Sequence, residues 1–236
     1  MRKFLIGLVV LVVLLVAADF ATRAFAESKT ADAVRTELGT GATPDVSIEG
    51  FPFLLHAIRG QYPQVIVTAG NIDNGLLPGI RAVLDLSDVA LPLGDAVAGD
   101  TSRLTAQASA LQVLVPLASL TAALGRTDLT LSAGPNGALA VTTTVSVLGQ
   151  QIPVTGTATI GVTDDTLTLA VGSLTAAGVD VTPVITTAAD SLALQLKRSF
   201  PLTGLPFTVT QATVAVTAGD VVLTAGTGPI ALADLK

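Results

Sequence analysis

From Leu129 to Val171 apolar and polar residues alternate. Leu129 and Leu131 are followed by Leu139, Val141, Val145 and Val147, then by Ile152, Val154, Ala158, Ile160 and Val162, then by Leu167, Leu169 and Val171. The residues between them are mostly Thr and Ser. A period of two puts every second side chain on the same face of a strand, so this stretch predicts an antiparallel meander. One of its faces is greasy, and the other is polar without being charged. Pro135-Asn136-Gly137, Gly149-Gln150 and Asp164-Asp165 supply the residues that tight hairpins need between the runs.

The same alternation appears on either side of the meander. Ile80, Ala82, Leu84 and Leu86 alternate with Arg81, Asp85 and Ser87, and the phase flips at Ser87-Asp88 so that Val89, Leu91 and Leu93 continue it. A slip of one residue implies a bulge or a change of face, which bends a long strand. Similar slips are expected after Ala110 and near Gln211. Phe207 and Val209, a turn at Ala218-Gly219-Asp220, and Val221 with Leu223 close the pattern. Two helices interrupt the strands. Pro116 opens the first, with Leu117, Leu120, Thr121 and Leu124 on one face and Gly125 as its cap. Thr182-Pro183 opens the second, where Ile185, Ala188, Ala189, Leu192 and Leu196 form a stripe and Ala193 and Leu194 widen it. A helix apolar around most of its circumference is expected to be enclosed. The predicted fold is therefore α+β, a long curved antiparallel sheet wrapped around an apolar helix.

Arg2 and Lys3 precede an apolar run from Phe4 to Ala18, and Ala24-Phe25-Ala26 follows as a small-x-small site. This is the order of a secretory signal. The run spans about 22 Å at ~1.5 Å per residue, short of the roughly 30 Å hydrocarbon core, so cleavage after Ala26 is expected ahead of retention as an anchor. Residues 1–26 are read as signal peptide or signal anchor and residues 27–236 as one domain on the outer side of the membrane. Ala31, Val34 and Leu38 recur at helical spacing and predict one short amphipathic helix from Glu27 to Leu38, stopped by Gly39.

Several chemistries are disfavoured by composition. The formal charge is -6 and the twelve basic residues are scattered, so no basic stripe exists for nucleic acid. The chain has no cysteine, hence no disulfide framework, thiolate metal site or lipid-modified cysteine. His56 is the only imidazole, and no Gly-x-Ser-x-Gly elbow or Walker loop is present, so no catalytic residue, cofactor site or enzyme activity is assigned. Gly39-Thr40-Gly41 reads as a turn. Asp85, Asp88, Asp95 and Asp100 gather acid groups without the spacing of a calcium loop, and no metal is assigned.

Gly50 to Tyr62 reads Gly-Phe-Pro-Phe-Leu-Leu-His-Ala-Ile-Arg-Gly-Gln-Tyr and holds two of the seven Phe, the only Tyr and the only His. Pro52 holds Phe51 extended, so Phe51 and Phe53 are expected on one side, with Leu54, Leu55 and Ile58 on a short helical turn ending at Gly60. Such a cluster either plugs the end of a core or forms a greasy gate beside a lipid-sized cavity. Gly-Phe-Pro-Phe, Gly60-x-Tyr62, the strand from Val65 to Val67, the N-terminal apolar segment and Leu205-Pro206 before a final hairpin together resemble the LmeA-like family of actinobacterial envelope proteins. That resemblance implies a phospholipid-binding protein, possessing a fold akin to the tubular, BPI-like lipid-binding proteins. It also implies work in lipomannan or related envelope-lipid metabolism, with phospholipid of phosphatidylinositol type and the membrane surface as partners. The lipid-binding residues expected on this reading are Phe51, Phe53, Leu54, Leu55, Ile58, Leu192 and Leu196. The competing reading is a scaffolding envelope protein with a filled core and no ligand.

Overall fold

The computed structural model describes residues 2–38, 43–72, 75–98, 100, 102–126, 128–147, 149–163, 166–176, 183–202, 212–227 and 229–231. Helix α1 (Arg2–Leu38) is followed by β1 (Asp45–Glu49), α2 (Phe53–Arg59), β2 (Gln61–Ile72), β3 (Ile80–Ala90), α3 (Leu93–Ala98), β4 (Thr105–Pro116) and α4 (Leu117–Ala123). Then come β5 (Thr130–Ala133), β6 (Leu139–Val147), β7 (Gln150–Thr163), β8 (Thr166–Ala176), α5 (Pro183–Gln195), β9 (Arg198–Pro201), β10 (Thr213–Val216), β11 (Asp220–Thr227) and β12 (Ile230–Ala231). The chain is α+β with antiparallel sheets, as the alternation predicts. One sheet runs β1-β2-β3-β4-β11-β10 with β12 on β4, and the other runs β5-β6-β7-β8-β9.

The chain divides into two compact units, Met1–Ala69 with Val83–Leu111 and Gly226–Lys236, and Gly70–Ala82 with Gln112–Ala225. In the first, Val46, Ile48, Phe53, Ala57, Tyr62, Leu86, Val89 and Ala106 pack together with Ala31 of α1. In the second, the meander buries Leu139, Val141, Val154, Leu167 and Leu169 on one face, while Thr142, Thr155, Thr157 and Thr159 face outward. Helix α5 lies against β8 and β6 and buries Leu192, with Leu196 buried just past its end.

The phase flip expected at Ser87-Asp88 is present. Leu86 and Val89 both point inward, and of the two residues between them Asp88 has φ 51°. The slip expected after Ala110 falls earlier, because Ala106, Ser109 and Leu111 are buried and the alternation shifts between the first two. A further bulge lies in β8. Gly156 pairs with Leu174 but Ala158 pairs with Val171, so Gly172 and Ser173 together oppose Thr157. A side chain at Gly172 would stand 3.2 Å from the Thr157 carbonyl oxygen, which accounts for glycine at that position.

Two expectations are corrected. The amphipathic segment from Glu27 is not a separate helix, because it continues the apolar run without a break as the last part of α1. Nor is α5 enclosed around its circumference. Leu194 is 75% exposed, and Thr187, Asp190, Ser191 and Gln195 face solvent, whereas Leu192 and Leu196 are buried. Gly39-Thr40-Gly41, Asp164-Asp165, Thr182, Leu205-Pro206, Phe207, Val209 and Gln211 lie outside the described residues.

Candidate functional site

Helix α2 has no capping side chain of its own, because Pro52 occupies the N-cap position. Its first amides are satisfied from α1. The Asp19 carboxylate accepts the Phe53 N–H at 2.9 Å through Oδ2 and the Leu54 N–H at 2.8 Å through Oδ1. Asp19 is only 5% exposed. A carboxylate there meets both the unpaired donors and the positive end of the helix dipole. At the other end Gly60 takes a left-handed conformation, φ 63°, and its N–H returns to the Ala57 carbonyl. Its own carbonyl accepts the Leu91 N–H at 2.9 Å, so close that a Cβ at position 60 would meet the Leu91 oxygen at 2.9 Å. The sequence therefore needs glycine here for conformation and for space.

The helix sorts its residues by face. Phe53 is 3% exposed, packs with Tyr62 at a ring-centroid distance of 6.1 Å, and shares the core with Ala57. Phe51, Leu55 and Ile58 are exposed at 63%, 42% and 72%. The expectation that Phe51 and Phe53 project on one side fails, because Phe53 opens a helix instead of continuing a strand. The short helix ending at Gly60 is as expected. Phe51 lies against Phe20 of α1, ring centroids 6.2 Å apart and stacked. Leu54 is half-buried between the two faces. Leu192 and Leu196, grouped with these residues by the sequence, belong to the other unit.

A second connection ties α1 to β1. The Arg23 guanidinium donates from Nε to Glu27 at 2.8 Å and from Nη2 to Ser47 and Glu49 at 3.3 Å each. Glu27 in turn accepts the Ile48 N–H at 2.9 Å. Thus three residues ahead of Ala24-Phe25-Ala26, namely Asp19, Phe20 and Arg23, bond to or pack on β1 and the α2 segment.

Beside α2, a cleft of about 360 Å³ is lined by His56, Arg59, Gln61, Tyr62, Asp88 and Gln107, among others. His56 Nδ1 lies 3.1 Å from the Gln61 carbonyl oxygen. A carbonyl only accepts, so the Nδ1 side of the ring is the donor in this contact. Burial pushes the Tyr62 phenol above its ordinary pKa. Guanidinium and amide donors beside a carboxylate suit a polar, hydroxyl-bearing or phosphate-bearing group. The acids considered for calcium are engaged separately: Asp85 accepts from Gln64, Asp95 pairs with Arg103, and Asp100 accepts the Ser102 N–H.

Sequence reasoning missed Asp19, Phe20 and Arg23. The signal was a single acid at the end of an apolar run, together with a short helix that lacks a cap of its own.

No curated protein and no solved structure matches the chain. The model of the LmeA-like phospholipid-binding family matches residues 17–226, beginning inside α1 two residues before Asp19 and running through both units. A match over that much of the 236 residues shows that the chain belongs to the LmeA-like phospholipid-binding family.

Proposed function

We propose that this protein binds phospholipid at the outer face of the cytoplasmic membrane, and that it holds or transfers that lipid in support of envelope glycolipid synthesis of the lipomannan type. The observation that carries the reading is the family match over residues 17–226. It runs across both units, which supports treating the matched residues as one lipid-binding domain. The apolar face of α2 supports lipid contact, since each methylene moved from water to an apolar surface gains about 0.8 kcal/mol. Phe51, Leu55 and Ile58 are the lipid-facing residues of that segment and Leu54 borders them, whereas Phe53, Leu192 and Leu196 are packed inside their units. The adjoining cleft, with Arg59, Gln61, Asp88 and Gln107, offers partners to a phosphatidylinositol-type headgroup.

The test is solvent extraction of purified protein followed by mass spectrometry of the extract, beside an unrelated single-span protein handled identically. Stoichiometric phospholipid above that control is expected. An extract equal to the control overturns the reading and leaves a scaffold with a filled core.

A further inference from the structure

The apolar run of α1 is longer than it reads. As a sequence it stops at Asp19, but in the structure that carboxylate is withdrawn from the helix surface and bonded to two backbone amides. The next charged side chain is Arg23. The stretch from Phe4 to Thr22 therefore meets its surroundings without an exposed charge, and at ~1.5 Å per residue it measures about 28 Å, close to the roughly 30 Å of a bilayer's hydrocarbon core. Leu8 through Leu15 are all exposed, as residues facing lipid would be.

Cutting after Ala26 would also remove parts of the folded protein. Phe53 and Leu54 would lose their acceptor, Phe51 its stacking partner, and Glu27 and Glu49 their cation. The family match begins at residue 17, ahead of all three residues that would be lost.

Phe20 marks the outer end of the uncharged stretch, three residues before Arg23, and Phe51 stacks on it. Leu55 and Ile58 follow Phe51 on the exposed face of α2, with Arg59 beside them. An exposed apolar helix face bordered by a basic residue is suited to the boundary between headgroups and acyl chains. It is also continuous, through the Phe20-Phe51 stack, with the apolar surface of α1.

We propose that α1 is retained as a membrane anchor, and that Asp19 and Phe20 hold the Phe51-Leu55-Ile58 face of α2 in the lipid boundary of that same membrane. The proposal rests on the reading that the protein works at the membrane's outer face. It adds which surface touches the bilayer and what fixes that surface in place.

The chain has no tryptophan, so Phe51→Trp and Ile58→Trp each introduce a single reporter at an exposed position. The full chain is reconstituted into phosphatidylcholine-phosphatidylglycerol vesicles, with and without lipid brominated on the upper acyl chain, and the intact mass is recorded. An uncleaved N-terminus is expected, with blue-shifted emission that falls by roughly half on bromination. A mature protein that starts at Glu27 overturns the proposal. So does red, unquenched emission from a chain with α1 intact. Blue-shifted but unquenched emission overturns it as well, because a protein surface, such as a second copy, then covers the face. Phospholipid extracted from the same samples keeps the two readings apart. Retained lipid with an unquenched reporter removes only the docking face, and quenching without retained lipid removes only the bound-lipid reading.

Discussion

Asp19 is placed where a carboxylate would ordinarily be penalised, and it is tolerated because two amides of α2 require it. Asp19→Ala leaves those amides without their acceptor, so a loss of about 1 to 3 kcal/mol is expected, read as a lower Tm of the detergent-solubilised full chain. Around it, the residues of the Gly-Phe-Pro-Phe segment separate by role. Phe53→Ala empties a packed site and is expected to lower stability by about 3 to 5 kcal/mol, whereas Phe51→Ala, which loses the Phe20 stack, should cost about 1 kcal/mol and Ile58→Ala should stay within about 0.5 kcal/mol in thermal melts. Equal losses at all three positions would mean that the outward face is itself packed. Asp128 gives a pH-dependent counterpart. The Arg126 guanidinium, helped by the Thr143 and Thr144 hydroxyls, holds its carboxyl well below the usual carboxylate range. A depressed native pKa stabilises the fold above the unfolded value of about 3.9, and that contribution is lost as pH falls toward the native value. Between about pH 5 and pH 2 the parent's Tm should therefore drop more steeply than that of Asp128→Asn. Identical slopes would show that the pair is fully screened.

The strands were the most legible elements, because a period of two survives wherever one face is buried. Asp88 marked its own bulge by breaking that period between Leu86 and Val89. The bulge in β8 was not legible, since Gly172 and Ser173 interrupt the run without a charge or proline to draw notice. Composition misled in the helices. A basic start, an apolar run and a small-x-small site describe a cleaved signal and a retained anchor equally well. The bond on which the anchor proposal rests, from Asp19 to Phe53, joins residues 34 apart in the chain, and no local window contains it. In α5 the residues Ala193 and Leu194 widened an apolar stripe, yet Leu194 is left exposed while Leu192 is buried. Leu196→Asp should accordingly abolish the cooperative melt of the second unit, because an unpaired buried carboxylate costs several kcal/mol. Leu194→Asp should melt within a degree or two of the parent. If both variants behave alike, the helix is either covered all round or not docked.

At the scale of the molecule, family membership was legible from the Gly-Phe-Pro-Phe motif and the segments flanking it, while the division of the chain into two units left no mark in composition. Charge is scarce, 13% of residues against 50% hydrophobic, so where it is placed matters. One of the two margins of the five-stranded sheet is β9, a short strand that carries Arg198 and finishes at Pro201 with Lys197 just ahead of it. One margin of the other sheet is β1, which carries Asp45 and Glu49. Unpaired strand margins recruit further strands, and charge and proline discourage this. For a chain tethered in a bilayer the hazard is acute, because copies share a plane, an orientation and a high local density. A bare, greasy margin would turn that alignment into a template for ribbons of stacked sheets. On the anchor proposal, a β9 that is short, cationic and closed by an imino acid offers such a ribbon a poor starting margin.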